Sequence, residues 1–253
     1  MSANLNLLIP EFREKVEQLL ENCRNQGVIM KPYCTLRDPY TQARLWRQSR
    51  STAIIQKKIN ELKEKGAPFL AHCIESIGPQ SGPHATNAIP GLSWHQWCEA
   101  VDCYWSVKGS IVWDMDTKIN GINGYLIYAV EATKLGLTAG HFWSRFKDSP
   151  HIQHRQHANP LQIYSLYQID IHINTRYCLF LNFSLYEPHM KNIAPSKVFY
   201  SDLVFLYLII PYQINMDAKK TRILNANQFG PCTKPSSPTA SLPSSVFIHI
   251  VFS

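Results

Sequence analysis

The start of the chain shows apolar residues at helical spacing. From Pro10 onwards these residues recur every three or four positions, proline is well tolerated in a first helical turn, and Gly27 marks a stop. The recurring residues are Phe12, Val16, Leu19 and Leu20. The pattern predicts a helix that ends near Gly27, followed by a short strand at residues 28–30.

Two further helices are predicted downstream. One lies around residues 40–48. The other, over residues 53–65, is amphipathic, with Ile and Leu on one face and Lys and Glu elsewhere, and Gly66 and Pro68 end it. Residues 78–91 are rich in Gly, Pro, Ser and Asn, and we expect a loop there.

The middle of the chain favours an antiparallel sheet. Residues 100–104 and 110–113 have the character of strands, and Lys108-Gly109 suits the turn between them. Residues 124–135 are predicted to form a helix that stops at Gly136. The predicted fold class is therefore α+β, with a small antiparallel sheet flanked by helices.

Composition limits the partners. The chain has 253 residues, a formal net charge of +7 and a pI near 9.0. This charge suits a partner rich in carboxylate or phosphate, although many basic proteins have no such partner. The sequence carries no nucleic-acid-binding signature, so we expect no nucleic acid as partner. A nucleic-acid binder that acts through charge alone is the weaker alternative.

The cysteine pattern and the first residues of the chain indicate the cellular compartment in which we expect the protein to be made. Seven cysteines are scattered without a Cys-x-x-Cys pair, as is typical of reduced thiols in a cytosol. The first residues lack the basic start and apolar core of a signal peptide, so we expect synthesis in the cytoplasm. The apolar stretch 198–210 is shorter than the roughly 20 residues of a bilayer span, so no membrane span is predicted.

One stretch, residues 93–102, combines a histidine and an aspartate seven residues apart. On a single helix His95 and Asp102 would lie roughly 10 Å apart along the axis. On a single strand they would point to opposite faces. Ligands about 2 Å from one metal ion must lie within about 4 Å of each other. A shared ion therefore requires a turn between them, with His95 on a loop and residues 100–102 entering a strand.

A second stretch, residues 148–151, adds another histidine with a carboxylate three positions before it. Two histidines and one aspartate make a three-ligand zinc set with an open position for water, which is a catalytic composition. The predicted zinc ligands are His95, Asp102 and His151. Asp148 is then free to act as a general base.

The order of these motifs resembles the M15 family of zinc peptidases. The pattern is Ser-x-His-x6-Asp followed by Asp-x-Pro-His, and the flanks at 86–91 and 143–147 agree with it. Upstream, Leu36-Arg37, Gln42 and the run 45–50 resemble the Arg segment of that family. The family includes D-Ala-D-Ala carboxypeptidases, dipeptidases and L-alanyl-D-glutamate peptidases. The likeness covers about residues 5–156.

The resemblance implies a hedgehog/DD-peptidase-like domain at residues 1–157 that binds Zn²⁺ and hydrolyses peptidoglycan stem peptides. It implies that Asp148 is the catalytic acid and base and that Arg37 steadies the oxyanion. It also implies substrate contacts by Gln42, Ser93 and Trp143. We expect a monomer that acts on the cell wall after release, and the bond cleaved stays open.

Another class of function fits the same likeness. A non-catalytic module could keep zinc and the fold and only bind a cell wall or a protein. The presence of all five predicted metal and catalytic residues favours the enzyme.

Three positions depart from the family pattern. Cys98, between two predicted ligands, stands where glycine is usual, and Ser49 also replaces a common glycine. Where the backbone needs a positive φ, a side chain costs on the order of 1 kcal/mol. Thr138 stands where tryptophan is common, and we expect this change to be tolerated.

The likeness ends before residue 158. Residues 164–214 are rich in Ile, Leu, Phe and Tyr without a steady period, and residues 233–245 form a Pro/Ser/Thr stretch of linker type. We therefore predict an extension at residues 158–253 that the sequence leaves undefined. Poorly ordered chain is one interpretation of it.

Overall fold

A computed structural model describes residues 2–177, so most of the predicted extension, with the stretches 198–210 and 233–245, lies outside the described residues. The helices are α1 (Pro10–Asn25), α2 (Pro39–Arg47), α3 (Thr52–Glu64), α4 (Pro68–Glu75), α5 (Gly124–Lys134) and α6, which covers residues 166–177. The strands are β1 (Ile29–Cys34), β2 (Ala100–Val107), β3 (Ser110–Val112), β4 (Thr138–Ala139) and β5 (His151–Gln153). The predicted α+β class is confirmed.

The strands form one antiparallel sheet with β2 at its centre. The order is β1-β2-β5-β4, and β3 pairs with the C-terminal half of β2. In this register Asp102 lies opposite Cys34 on β1 and opposite His151 on β5. The sheet thus brings three widely separated segments together at one residue of β2.

One face of the sheet, the inner face, packs on α1 and α5. Alternate residues of β2 enter this core, namely Val101, Cys103 and Trp105, together with Met30 and Ile152 from neighbouring strands. The apolar stripe of α1 faces them, as its helical spacing predicts.

The opposite, outer face of the sheet is covered at the N-terminal end of β2. Ala100 belongs to a second core that includes residues of α2, α3, α4 and α6. Ile169 and Ile173 of α6 belong to this core, and Asp170 Oδ1 accepts a 2.8 Å hydrogen bond from the backbone N–H of Leu70. Described residues beyond 157 thus pack on the peptidase-like part, and the predicted boundary at 157 stays a prediction.

Two elements differ from the expectation. The first strand extends to Cys34 instead of ending at Met30, because pairing with β2 continues past the apolar run. Helix α4 was not predicted. Pro68 marks the end of the preceding helix, but it also occupies the first turn of α4, where its missing N–H costs nothing.

Both residues that replace a usual glycine adopt left-handed backbone. Cys98 has φ 58° and Ser49 has φ 61°. Cys98 ends the short 3-10 turn Trp94–Trp97 and turns the chain into β2, which is the turn that the spacing of His95 and Asp102 requires. These two positions therefore carry backbone strain that glycine would relieve.

The predictions on thiols and on membrane spans can be compared with the described part of the chain. Within residues 2–177, none of the helices combines the length and apolarity needed to cross a bilayer. Five cysteines there are buried free thiols, namely Cys23, Cys34, Cys73, Cys98 and Cys103.

We predict that Ser49→Gly stabilises the protein by about 1 kcal/mol, because glycine adopts the left-handed conformation without the Cβ clash. Ser49 is exposed, so little packing is lost. Ser49→Ala is the matched control and should give no such gain, because alanine keeps the Cβ atom. Denaturant unfolding of the three proteins tests this, and equal midpoints for glycine and alanine would contradict it.

Candidate functional site

The three predicted metal ligands come from three kinds of local structure. Asp102 lies on β2 and points to the outer face, because its neighbours Val101 and Cys103 enter the inner core. His95 lies in the 3-10 turn Trp94–Trp97, and His151 is the first residue of β5. All three are buried.

Their side chains meet at a single carboxylate oxygen. Nε2 of His95 lies 3.1 Å from Oδ1 of Asp102, and Nδ1 of His151 lies 2.9 Å from the same oxygen. The two imidazole rings are edge to face with centroids 5.1 Å apart. Both predicted histidine ligands therefore contact the predicted aspartate ligand, and their shared role as metal ligands stays a prediction.

The protonation of His95 follows from its other nitrogen. Nδ1 lies 2.8 Å from the carbonyl oxygen of Thr35, which can only accept a hydrogen bond. Nδ1 therefore carries the hydrogen. In the neutral ring, Nε2 then directs a lone pair at the Asp102 carboxylate.

The protonation of His151 follows from the amide of Gln153. Nε2 of Gln153 donates to the carbonyl oxygens of Arg155 at 2.7 Å and His157 at 2.9 Å. This fixes the amide so that Oε1, an acceptor, faces Nε2 of His151 at 3.2 Å. Nδ1 of His151 therefore directs its lone pair at Asp102.

Two imidazole nitrogens and one carboxylate thus converge on the same small space. Such a set repels itself unless protons or a cation lie between the atoms. The distances of 3.1 and 2.9 Å are short enough for each histidine nitrogen to share a metal ion with the Asp102 oxygen. Histidine nitrogens and a carboxylate oxygen are ligand types that suit a divalent metal ion, and metal binding by this set stays a prediction.

The pKa values of Asp102 and His95 show that the cleft favours a negative carboxylate with positive charge beside it. Burial would raise the pKa of Asp102, but His95 and His151 hold it well below its ordinary value. Burial would lower the pKa of His95, but the charge of Asp102 raises it to about 9. The cleft therefore keeps an anionic carboxylate and demands positive charge beside it.

Arg37 lies on the loop before α2, as predicted, and contacts the other oxygen of the carboxylate. Its Nη2 is 3.3 Å from Oδ2 of Asp102 and 3.5 Å from Sγ of Cys34. Nη1 donates to Oε1 of Gln42 at 3.1 Å. The guanidinium is thus held at the edge of the cleft by three neighbours.

Asp148 faces the same cleft. Burial raises the pKa of its carboxyl group, against the positive charges of His151, His95 and Arg37, while Asp102 raises it further. A raised pKa suits a group that must both take and give a proton near neutral pH.

The backbone of Asp148 is clamped by Gly140. The Asp148 N–H donates to the Gly140 carbonyl oxygen at 2.9 Å, and the Asp148 carbonyl accepts from the His151 N–H at 3.1 Å. A Cβ atom added at Gly140 would overlap the Asp148 carbonyl oxygen and lie 3.2 Å from Asp148 Cβ. The absence of a side chain at 140 therefore permits the position of Asp148.

The three predicted substrate contacts have different surroundings. Gln42 is fully buried behind Arg37, and its Nε2 donates to the Ala88 carbonyl at 2.7 Å. Ser93 precedes the His95 turn and is half-buried. The Trp143 ring lies 5.2 Å from the His151 ring and forms a wall of the cleft. Gln42 therefore contacts Arg37, and substrate contact by Ser93 and Trp143 stays a prediction.

Sequence reasoning missed Cys34 as a neighbour of the site. Among the described residues, the possible metal ligands whose atoms all lie within 4.8 Å of one another are Cys34, His95 and Asp102, so this trio could hold a metal ion. His151 is not part of that group, which differs from the predicted ligand set. Sγ of Cys34 is 3.8 Å from Nδ1 of His95. The available signal was its position three residues before Arg37 at the end of a strand.

Gln153 and Gly140 were missed as well. Gln153 lies two residues after His151 on β5, and a strand places such residues on one face, so its spacing was a usable signal. Gly140 carried no local signal, because its closeness to Asp148 arises from a fold of the loop between β4 and β5.

The outer-face cluster combines two histidines and an aspartate, with the half-buried carboxyl group of Asp148 and the guanidinium of Arg37 at its edge. Residues 6–122 match the family described as VanY: D-alanyl-D-alanine carboxypeptidase. The match includes Arg37, His95 and Asp102 and ends before Asp148 and His151. The predicted recognition is confirmed.

A similar protein of known name is also a peptidase. The chain is similar to the peptidoglycan L-alanyl-D-glutamate endopeptidase CwlK of Bacillus subtilis (strain 168), with 39% identity over 77 residues. The aligned part is 29% of this chain and 46% of that protein, so the chain spans about half the length of this relative.

We predict that Gly140→Ala lowers kcat by about 100-fold while bound metal is retained, because the new methyl displaces Asp148 and leaves the ligands in place. Gly78→Ala is the control, since no atom lies within 4 Å of a Cβ there. Peptide hydrolysis and metal content are measured together. A normal kcat in the Gly140→Ala enzyme would contradict the clamp.

We also predict that Gln153→Leu weakens zinc binding about 10-fold to 100-fold, because His151 loses the acceptor that fixes its tautomer. Competition with a coloured chelator measures the affinity, and circular dichroism checks the fold. Gln156→Leu is the control, because Gln156 is exposed and contacts Thr138 instead. Unchanged zinc affinity in the Gln153→Leu variant would refute the orienting role.

Proposed function

We propose that this protein is a zinc-dependent peptidase that hydrolyses peptide bonds in peptidoglycan stem peptides. The observation that carries the proposal is the convergence of two imidazole nitrogens, from His95 and His151, on the Asp102 carboxylate, 3.1 and 2.9 Å from one oxygen. The VanY match and the similarity to a peptidoglycan endopeptidase support the substrate class.

We assign the metal to His95, Asp102 and His151 in preference to the trio with Cys34. Cys34 lies on the Nδ1 side of His95, and that nitrogen is already engaged by the Thr35 carbonyl. The thiol also touches the Arg37 guanidinium, whose positive charge opposes a cation there. On the His151 side, Nδ1 faces the Asp102 carboxylate.

Zn²⁺ at such a site supplies polarisation of the scissile carbonyl and acidification of a water molecule. Asp148 takes the proton from the attacking water and gives it to the leaving amine as the C–N bond breaks. The raised pKa of Asp148, caused first by burial, fits both halves of this transfer.

Arg37 stabilises the negative charge that develops on the carbonyl oxygen. Gln42 acts through Arg37, because its amide holds the guanidinium on one side and the Ala88 carbonyl on the other. A fixed donor costs no reorganisation when charge develops in the reaction.

A non-catalytic module that binds a cell wall is the second candidate. It needs the metal and the fold, but it gives no reason for a half-buried carboxyl group with a raised pKa beside the proposed ligands. Release of amino groups from purified peptidoglycan, with and without a chelator, separates the two. Zinc retention without release would favour the module.

We predict that Asp148→Asn lowers turnover of a defined muropeptide at least about 100-fold and leaves zinc bound, because an amide cannot accept the proton. Mass spectrometry of the products gives the rate and the bond cleaved. Asp114→Asn, at an exposed carboxylate, should change neither quantity. Hydrolysis by the Asp148→Asn variant at the rate of the unmodified enzyme would rule out the proposed base.

A further inference from the structure

The outer face of the sheet changes character at Asp102. Before Asp102 it is covered by the second core through Ala100. Beyond Asp102 the same face carries side chains that are partly or largely exposed. We call these residues the outer strip: Ile29, Lys31, Tyr104, Ile111 and Trp113.

Strand register puts the outer strip on one face. Lys31 pairs with Tyr104, and Ile29 and Ile111 both pair with Ser106, while the alternate residues Trp105 and Val112 pack in the inner core or against it. Trp113 follows Val112 and so takes the outer side. Trp113 and Ile111 are each 51% exposed and Ile29 is 38% exposed.

Two tyrosine rings contact the indole of Trp113, and neither of them stacks on its face. The Tyr33 ring meets it at 89° with centroids 5.1 Å apart, and the Tyr104 ring meets it at 52° and 5.9 Å. Neither ring stacks parallel on the indole. A planar apolar surface is therefore positioned and left available for a ligand.

The outer strip is continuous with the cleft. Tyr104 is two residues from Asp102 on the same face of β2, about 6.7 Å along the strand. Tyr33 meets the indole of Trp113 and precedes Cys34, the residue opposite Asp102 in the sheet, so it lies between the indole and the cleft. A substrate held at the cleft can extend directly onto the strip.

The chemistry of the outer strip suits a pyranose ring. The C–H face of such a ring stacks on an aromatic side chain, while its hydroxyl and acetamido groups need polar partners at the rim. Trp113 offers the first, and the Tyr104 hydroxyl and Lys31 ammonium offer the second. A lone lysine is too little charge for an anionic lipid surface, which calls for a cluster of basic residues.

We propose that the outer strip is a saccharide subsite that binds the glycan-linked sugar of the substrate, with Trp113 as its stacking surface. This rests on the proposed peptidase function.

In peptidoglycan the sugar is joined through a lactyl group to the first stem residue. One extended residue spans about 3.3–3.6 Å, so a sugar one residue from the cleaved bond reaches Tyr104 and Trp113. The subsite therefore favours cleavage after the first stem residue.

The test compares two substrates with the same stem peptide. One carries the disaccharide on its lactyl group, and the other carries an N-acetyl group instead. For the unmodified, full-length zinc enzyme we expect kcat/KM to be about tenfold higher for the disaccharide substrate. Trp113→Ala should remove this preference through KM and leave kcat/KM for the acetyl peptide unchanged.

Two further variants separate stacking from general damage. Trp113→Phe keeps an aromatic face and should retain part of the preference. Leu126→Ala removes a 45% exposed side chain on α5, on the other side of the sheet, and should retain all of it. Calorimetric titration with the disaccharide peptide gives a binding readout that does not require turnover.

The outcomes are distinct. Equal kcat/KM for both substrates, or an unchanged preference in the Trp113→Ala variant, would overturn the subsite and leave the peptidase standing. Sugar-dependent binding that Trp113→Ala abolishes, without any hydrolysis by the unmodified protein, would support the subsite and overturn the peptidase. Cover of the strip by another part of the chain or by a protein partner would appear as absent sugar-dependent binding, which also overturns the subsite.

Discussion

The carboxylate of Asp102 is the feature on which the site depends. It is 6% exposed, and a buried charge is stable only with partners that balance it. His95 and His151 contact one oxygen and Arg37 contacts the other. Segments on both sides of β2 supply these partners, so the site and the sheet are organised by the same charge.

The position of this carboxylate in the sheet gives the cleft two different sides. Toward Ala100 the outer face is sealed by apolar side chains, which exclude water and strengthen electrostatic interactions. Toward Tyr104 the face opens to solvent. Asp102 lies between the covered part and the exposed part of the outer face. This position suits the proposed hydrolysis of peptidoglycan, which requires buried charges and room for a large substrate.

Local pattern was sufficient for most of the elements. Helices α1, α3 and α5 and the β2–β3 hairpin follow from apolar spacing and from Lys108-Gly109, because these signals act between near neighbours. Helix α4 was not predicted, because a proline such as Pro68 can mark either the end of one helix or the first turn of the next. The length of β1 depends on pairing with β2, which lies about 70 residues away along the chain.

The sequence by itself predicted the candidate ligands, the need for a turn between His95 and Asp102, and the resemblance to the peptidase family. These are matters of residue type and short spacing, and Cys98 with φ 58° supplies the turn. Only the tertiary structure decided which ring nitrogens face the carboxylate, because the Thr35 carbonyl and the Gln153 amide fix them through contacts outside the local motif. It also decided that Gly140 supports Asp148 and that Cys34 borders the cleft. Such contacts depend on how the segments pack, and no local pattern encodes them.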